Sequence, residues 1–176
     1  MSSNEYKKLN NQGISLVEVI IVLAIMAIIG GALFLSTSVA TDKHVTSCAE
    51  KIASAIEQTR NLAMGKQGAY IEIWKDTGDT VYLQMYVEGK PYGDLVNVGH
   101  AGLTIDVTYK QNTGVTYTNP IGDAAHKLKI VFNRSNGSVE YDGSYAPHII
   151  DVTNGRREIK VTIDAFTGRV STTRVS

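Results

Sequence analysis

Hydrophobic and polar positions change their pattern twice along this chain. From Ile14 to Leu35 the residues are apolar almost without interruption, with Ser15 and Glu18 the clearly polar side chains. A helix over residues 14–35 reaches about 33 Å at roughly 1.5 Å per residue, enough for a hydrocarbon core of about 30 Å. From Val45 the pattern becomes periodic. Val45, Ala49, Ile52, Ile56 and Ala63 form one stripe, and Lys51, Glu57, Gln58 and Arg60 lie between them, as on an amphipathic helix. Gly65 and Gly68 are C-terminal stop signals, so the two patterns predict one helix over about Ser15 to Met64. Beyond it the pattern is that of strands: Ala69–Trp74, Thr80–Val87, Leu103–Tyr109, Leu128–Phe132, Ser138–Tyr141, His148–Val152 and Glu158–Ile163, with Gly, Asn, Asp and Pro in the gaps. The fold class expected is α+β, a long N-terminal helix packed on an antiparallel β-sheet head domain.

The flanks of the apolar run orient it. Lys7 and Lys8 precede it, and no cation comes after it before Lys43. The positive-inside bias keeps the amino terminus cytoplasmic and exports the chain beyond the run. A cleavable signal peptide has a shorter apolar region, and although Ser38-Val39-Ala40 offers a small-x-small site, Glu18 has no place in one. A plain anchor leaves Glu18 equally unexplained, because a lone carboxylate in hydrocarbon is costly. Locally, Ser15 and Glu18 match the N-cap and N3 positions of a capping box, which explains a glutamate near water. Gly30-Gly31 interrupts the apolar half, and either close helix packing or local softening accounts for it.

Gly13-Ile14-Ser15-Leu16-Val17-Glu18, preceded by a short basic leader and followed by the apolar run, resembles the N-terminal signal of type IV pilins and type II secretion pseudopilins. The resemblance implies residues 1–13 as leader, 14–35 as the membrane and filament-core half of the helix, 36–68 as its amphipathic half and 69–176 as the head. It implies a prepilin peptidase that cuts between Gly13 and Ile14 and methylates the new Ile14 amine. Gly13 suits such a site, since it lets a protease approach an extended backbone. It implies that Glu18 pairs with the Ile14 amine of a neighbouring subunit. Phe is the family's usual residue where this chain has Ile14. Many pilins carry a proline some twenty residues into the mature chain, where this one has Leu33-Phe34-Leu35, a difference that points away from a major pilin. A strand ending in Phe132 before the turn Asn133–Ser138, then a closing hairpin with Thr167-Gly168-Arg169-Val170, resembles the GspH or FimT type of minor pseudopilin. The partners implied are the prepilin peptidase, other pilin subunits through the helix, an assembly platform in the bacterial cytoplasmic membrane, and lipid before assembly. The place implied is a single-pass membrane protein with its head outside, later a periplasmic or surface filament. Secretion, adhesion, motility and competence machines share this signal.

Composition adds limits. Seventeen basic and seventeen acidic residues balance to zero, against a wholesale nucleic-acid binder. The tail is locally basic, with Arg156, Arg157, Lys160, Arg169 and Arg174 against Glu158 and Asp164. Some minor pilins of this type take part in DNA uptake, and such a cluster can contact phosphates without reading sequence. A solvated hairpin face that protects a sheet edge is the plainer account. Enzyme, cofactor and metal signatures are not expected: His44, His100, His126 and His148 are far apart in the sequence, and Asp76-Thr77-Gly78-Asp79 reads as a turn lacking the acidic density of a calcium loop. Asn133 and Asn136 match glycosylation acceptors by letter but fall in turn sequence. Cys48 is the one cysteine, so no internal disulfide forms, and its place beside the apolar stripe suits a buried small hydrophobe. An anchored extracellular domain without a filament is the remaining reading, with an uncut amino terminus or one at Thr41.

Overall fold

The computed structural model describes residues 16–65 and 68–175, without the side chains of residues 30–41. One helix, α1 (Leu16–Gly65), is followed by nine strands. They are β1 (Tyr70–Lys75), β2 (Val81–Val87), β3 (Lys90–Gly99), β4 (Thr104–Gln111), β5 (Thr116–Pro120), β6 (Leu128–Val131), β7 (Tyr145–Thr153), β8 (Glu158–Ile163) and β9 (Val170–Arg174). The chain divides into two compact units, one ending at Val39 and one beginning at Ala40.

In the second unit the strands make two antiparallel sheets where one was expected. Their orders are β3-β2-β1-β6 and β5-β4-β7-β8-β9. The stripe read from the sequence is the part of α1 that enters the core: Val45, Ala49, Ile52 and Ile56 are fully buried, and Cys48 lies among them. Alternate residues of both sheets complete the same cluster, including Ile71, Ile73 and Ile130 from one sheet and Ile105, Ile150, Val161 and Ile163 from the other. The period of two places these side chains inward and leaves Glu72, Asp151 and Lys160 on the outer faces. Thr59 is a polar member of the buried face, and its hydroxyl donates to the Ala55 carbonyl at 2.7 Å, one turn back on the helix.

Three strands have no counterpart among the seven expected segments. β3 and β5 are edge strands with few or no buried side chains. β9 is the far arm of the expected closing hairpin. Conversely, the strand expected at Ser138–Tyr141 is an isolated bridge between Phe132 and Val139. Its backbone has divided partners: Val139 N–H donates to Ala165 O at 2.9 Å, while Glu140 N–H donates to Val131 O at 2.8 Å. The segment thus ties the end of β6 to the turn after β8, which joins the two sheets rather than extending either.

That tie sits above Arg60. Its Nε donates to Thr167 O at 2.6 Å. Gly137 and Gly168 both have left-handed backbones, with φ of 69° and 63°. A Cβ on Gly168 would overlap the Gly137 carbonyl, and one on Gly137 would stand 2.9 Å from Arg60 Nε. The turns Asn133–Ser138 and Asp164–Arg169 therefore pack backbone to backbone on the helix, with glycine required in each.

Candidate functional site

The segment that carries the chemistry of interest is the start of α1. Val19, Ile20, Ile21, Val22 and Leu23 are consecutive, and each exposes 46–60% of its surface. At about 100° per residue these five positions point in every direction around a helix, so no face is polar. Ile25, Met26, Ile28 and Ile29 continue the exposed apolar surface. Glu18 is the acidic residue of the first turn and is itself exposed. A carboxylate there faces the free N–H groups of the helix start and is favoured by the positive end of the macrodipole. Val19, Val22 and Leu23 lie around it.

Gly13, Ile14 and Ser15, and with them the expected cleavage point, methylation site and N-cap, lie outside the described residues. Gly30 and Gly31 fall within α1, as does the expected segment up to residue 35. Among the described residues no helix is long and apolar enough to cross a membrane, and the expected span includes residues outside that search.

Residues 8–34 match the model of the prokaryotic N-terminal methylation motif. That motif supports a place for the amino terminus among type IV pilin and pseudopilin sequences. The motif supports a type IV pilin-like subunit of the kind processed from a prepilin. Its motif implies peptidase processing and assembly with other pilins. No curated protein and no solved structure matches the chain.

The basic residues of the tail do not share one surface patch. Arg156 is exposed in the β7–β8 turn, where its N–H donates to the Asn154 side chain. Arg157 turns inward, with Nη1 donating to Asp42 O at 3.3 Å and Thr46 Oγ1 at 3.2 Å on α1. Lys160 lies between Asp151 at 3.3 Å and Glu158 at 3.1 Å. Those carboxylates, Glu158 first, raise the Lys160 pKa above the usual lysine range. Arg174 stands opposite Ile159 at the open end of the β8–β9 hairpin, whereas Arg169 lies in the turn at the other end. Arg157 and Lys160 are thus committed within the chain, and the hairpin separates Arg169 from Arg157 and Arg174.

Other sequence candidates resolve into local structure. Asp76 Oδ1 accepts from Gly78 N at 2.9 Å and Thr80 N at 2.8 Å, closing the turn before β2. Asn133 and Asn136 accept from Ser135 and Ser138 N–H groups in the same manner. His44 and His100, distant in the sequence, meet edge to face with ring centroids 5.8 Å apart. Among the described residues no group of three metal-ligating side chains gathers. Cys48 is buried, and loss of solvent pushes its thiol up to about 12. Sequence reasoning assigned nothing to the tyrosines. Tyr109, Tyr117 and Tyr145 come from three strands, and only strand pairing brings the rings of Tyr109 and Tyr145 to 4.9 and 4.6 Å from that of Tyr117.

Proposed function

We propose that this pilin is a minor pilin or pseudopilin of the GspH/FimT type, which sits in the bacterial cytoplasmic membrane and then joins a filament as a structural subunit. The observation that supports the reading most is the start of α1, apolar in every direction with one carboxylate at Glu18. Such a surface is stable in hydrocarbon or in a bundle of like helices, and residues 14–35 serve in each in turn. Lys7 and Lys8 hold the leader in the cytoplasm while the head is exported. Prepilin peptidase removes residues 1–13 and methylates Ile14, leaving a cationic amine at the new terminus.

Positions four apart on any helix lie about 6 Å apart along its axis, at roughly 1.5 Å per residue. A stagger between neighbouring subunits brings the amine of one to Glu18 of the next. Each charge then offsets the burial of the other, and removing one leaves a buried charge uncompensated at a cost of about 3–5 kcal/mol. The pairing supplies register, which apolar contacts alone do not specify.

Glu18→Gln tests this. Glutamine keeps the N3 capping role but cannot neutralise an amine. The expected result is a variant that enters the membrane and is cut, yet is absent from sheared filaments when expressed beside the wild-type chain. Incorporation equal to wild type contradicts the pairing.

A further inference from the structure

The second unit contains a cleft of about 440 Å³ that the pilin role does not use. It opens between the ends of β4, β5 and β7 in one sheet and the β6 edge of the other. Its volume lies within the usual range of small-molecule sites, about 300–1,000 Å³.

Aromatic rings form one wall. Tyr109 and Tyr117 stack at 4.9 Å and 10°, and Tyr145 meets Tyr117 edge-on at 4.6 Å and 86°. Tyr117 is exposed, so the cluster is more than core packing. A tight turn, with Asp142 N–H donating to Tyr145 O at 2.9 Å, sets Tyr145 and the exposed Asp142 side by side at the rim. Burial, then Tyr117, then the Asp142 charge raise the Tyr109 phenol above its ordinary value, so it stays a hydroxyl able to donate.

Both signs of charge line the rest of the cleft. Lys127 donates to Glu72 at 2.9 Å and lies 4.4 Å from the Trp74 ring centre, while Lys129 lies 4.2 Å from that of Tyr70. With Lys127 held by Glu72, the Lys129 ammonium stands beside the carboxylates of Glu140 and Asp142, which make no ion pair among the described residues. Asn119 adds an amide that both donates and accepts. A strongly anionic ligand meets Glu140 and Asp142, and a strongly cationic one meets the lysines. A neutral ligand dense in hydroxyls uses donors and acceptors alike, and the C–H face of a sugar ring lies against a phenol ring without losing hydrogen bonds.

We propose that this cleft is a binding site for a neutral saccharide of one or two units, with Tyr117 and Tyr145 as the stacking wall and Asn119, Glu140 and Asp142 as the hydroxyl-reading groups. The site belongs to the head and does not depend on filament assembly.

The test uses the full chain, solubilised in a detergent without a sugar headgroup. An array of neutral mono- and disaccharides, spanning hexoses, N-acetylhexosamines and 6-deoxyhexoses, is titrated against the tyrosine ring signals in NMR spectra. Saturable shifts of Tyr117 and Tyr145 are expected with at least one sugar. Tyr117→Ala and Asp142→Asn, both at exposed positions, are each expected to weaken that binding about tenfold while leaving the other ring signals in place. No saturable shift with any neutral sugar overturns the proposal. So does binding that both variants leave unchanged, or saturation by spermidine or a sulfated oligosaccharide alone.

Discussion

Gly168→Ala probes the junction that holds the helix, the two turns and both sheets together. The Gly168 backbone has φ of 63°, a region that costs a residue with a Cβ about 1–2 kcal/mol. The new methyl group also overlaps the Gly137 carbonyl, which is backbone and cannot rotate away. Relieving that overlap separates the two turns. It strains the 2.9 Å bond from Val139 N–H to Ala165 O and the 2.6 Å bond from Arg60 to Thr167 O. A neutral hydrogen bond contributes about 0.5–1.5 kcal/mol and one to a charged group about 1.5–3 kcal/mol, the lower end applying to an exposed bond such as that of Arg60. The expected cost is about 3–5 kcal/mol. Gly143→Ala is the control, because its φ is also 63° but no atom lies within 4 Å of the added Cβ. It should cost about 1–2 kcal/mol. Urea unfolding of Ala40–Ser176, followed by fluorescence of Trp74, measures the difference at constant slope. Variants of equal stability refute the reasoning.

Two further outcomes concern titratable groups in the second unit. Cys48, with its thiol pushed up to about 12 by burial, is expected to ignore a disulfide reagent at neutral pH and to react at the rate of unfolding in urea; fast labelling of the native chain contradicts this. Asp164 is held below its ordinary 3.8 by the Thr167 N–H and hydroxyl. Its folded value is therefore the lower one, so it stabilises above about pH 4 and that contribution fades as pH falls through the folded value. Asp164→Asn should flatten this part of the acid limb of stability against pH, and an unchanged limb argues against the turn as its source.

The legible parts of the fold were those with a burial period. The α1 stripe and the inward alternation of β1, β2, β4, β7 and β8 are written as apolar positions, and these are the residues that form the core. β3 and β5 were not legible because edge strands are held by backbone pairing and bury little. A signal for β3 existed in Glu88-Gly89, both of positive φ, the two-residue turn that reverses β2 into β3. Val139 alternated convincingly, yet its backbone serves a junction between sheets, which no local pattern encodes. Thr167-Gly168-Arg169-Val170 was legible as a hairpin turn; that Gly168 must be glycine because of Gly137, thirty-one residues earlier in the chain, was not. Likewise the sequence could not show that the β8–β9 register sets Arg169 and Arg174 at opposite ends while Arg157 and Arg174 line one cleft. The proposed role of Glu18 rests on the sequence, where a carboxylate beside an unbroken apolar run is conspicuous without any fold.

The amino terminus of the mature chain tests the central claim most directly. Mass spectrometry of the protein purified from membranes and from filaments should find residues 1–13 removed and a methylated Ile14 at the new terminus. A terminus at Met1, or one at Thr41, contradicts the account: Ile14 would then carry no amine, and Glu18 would have no charge to meet.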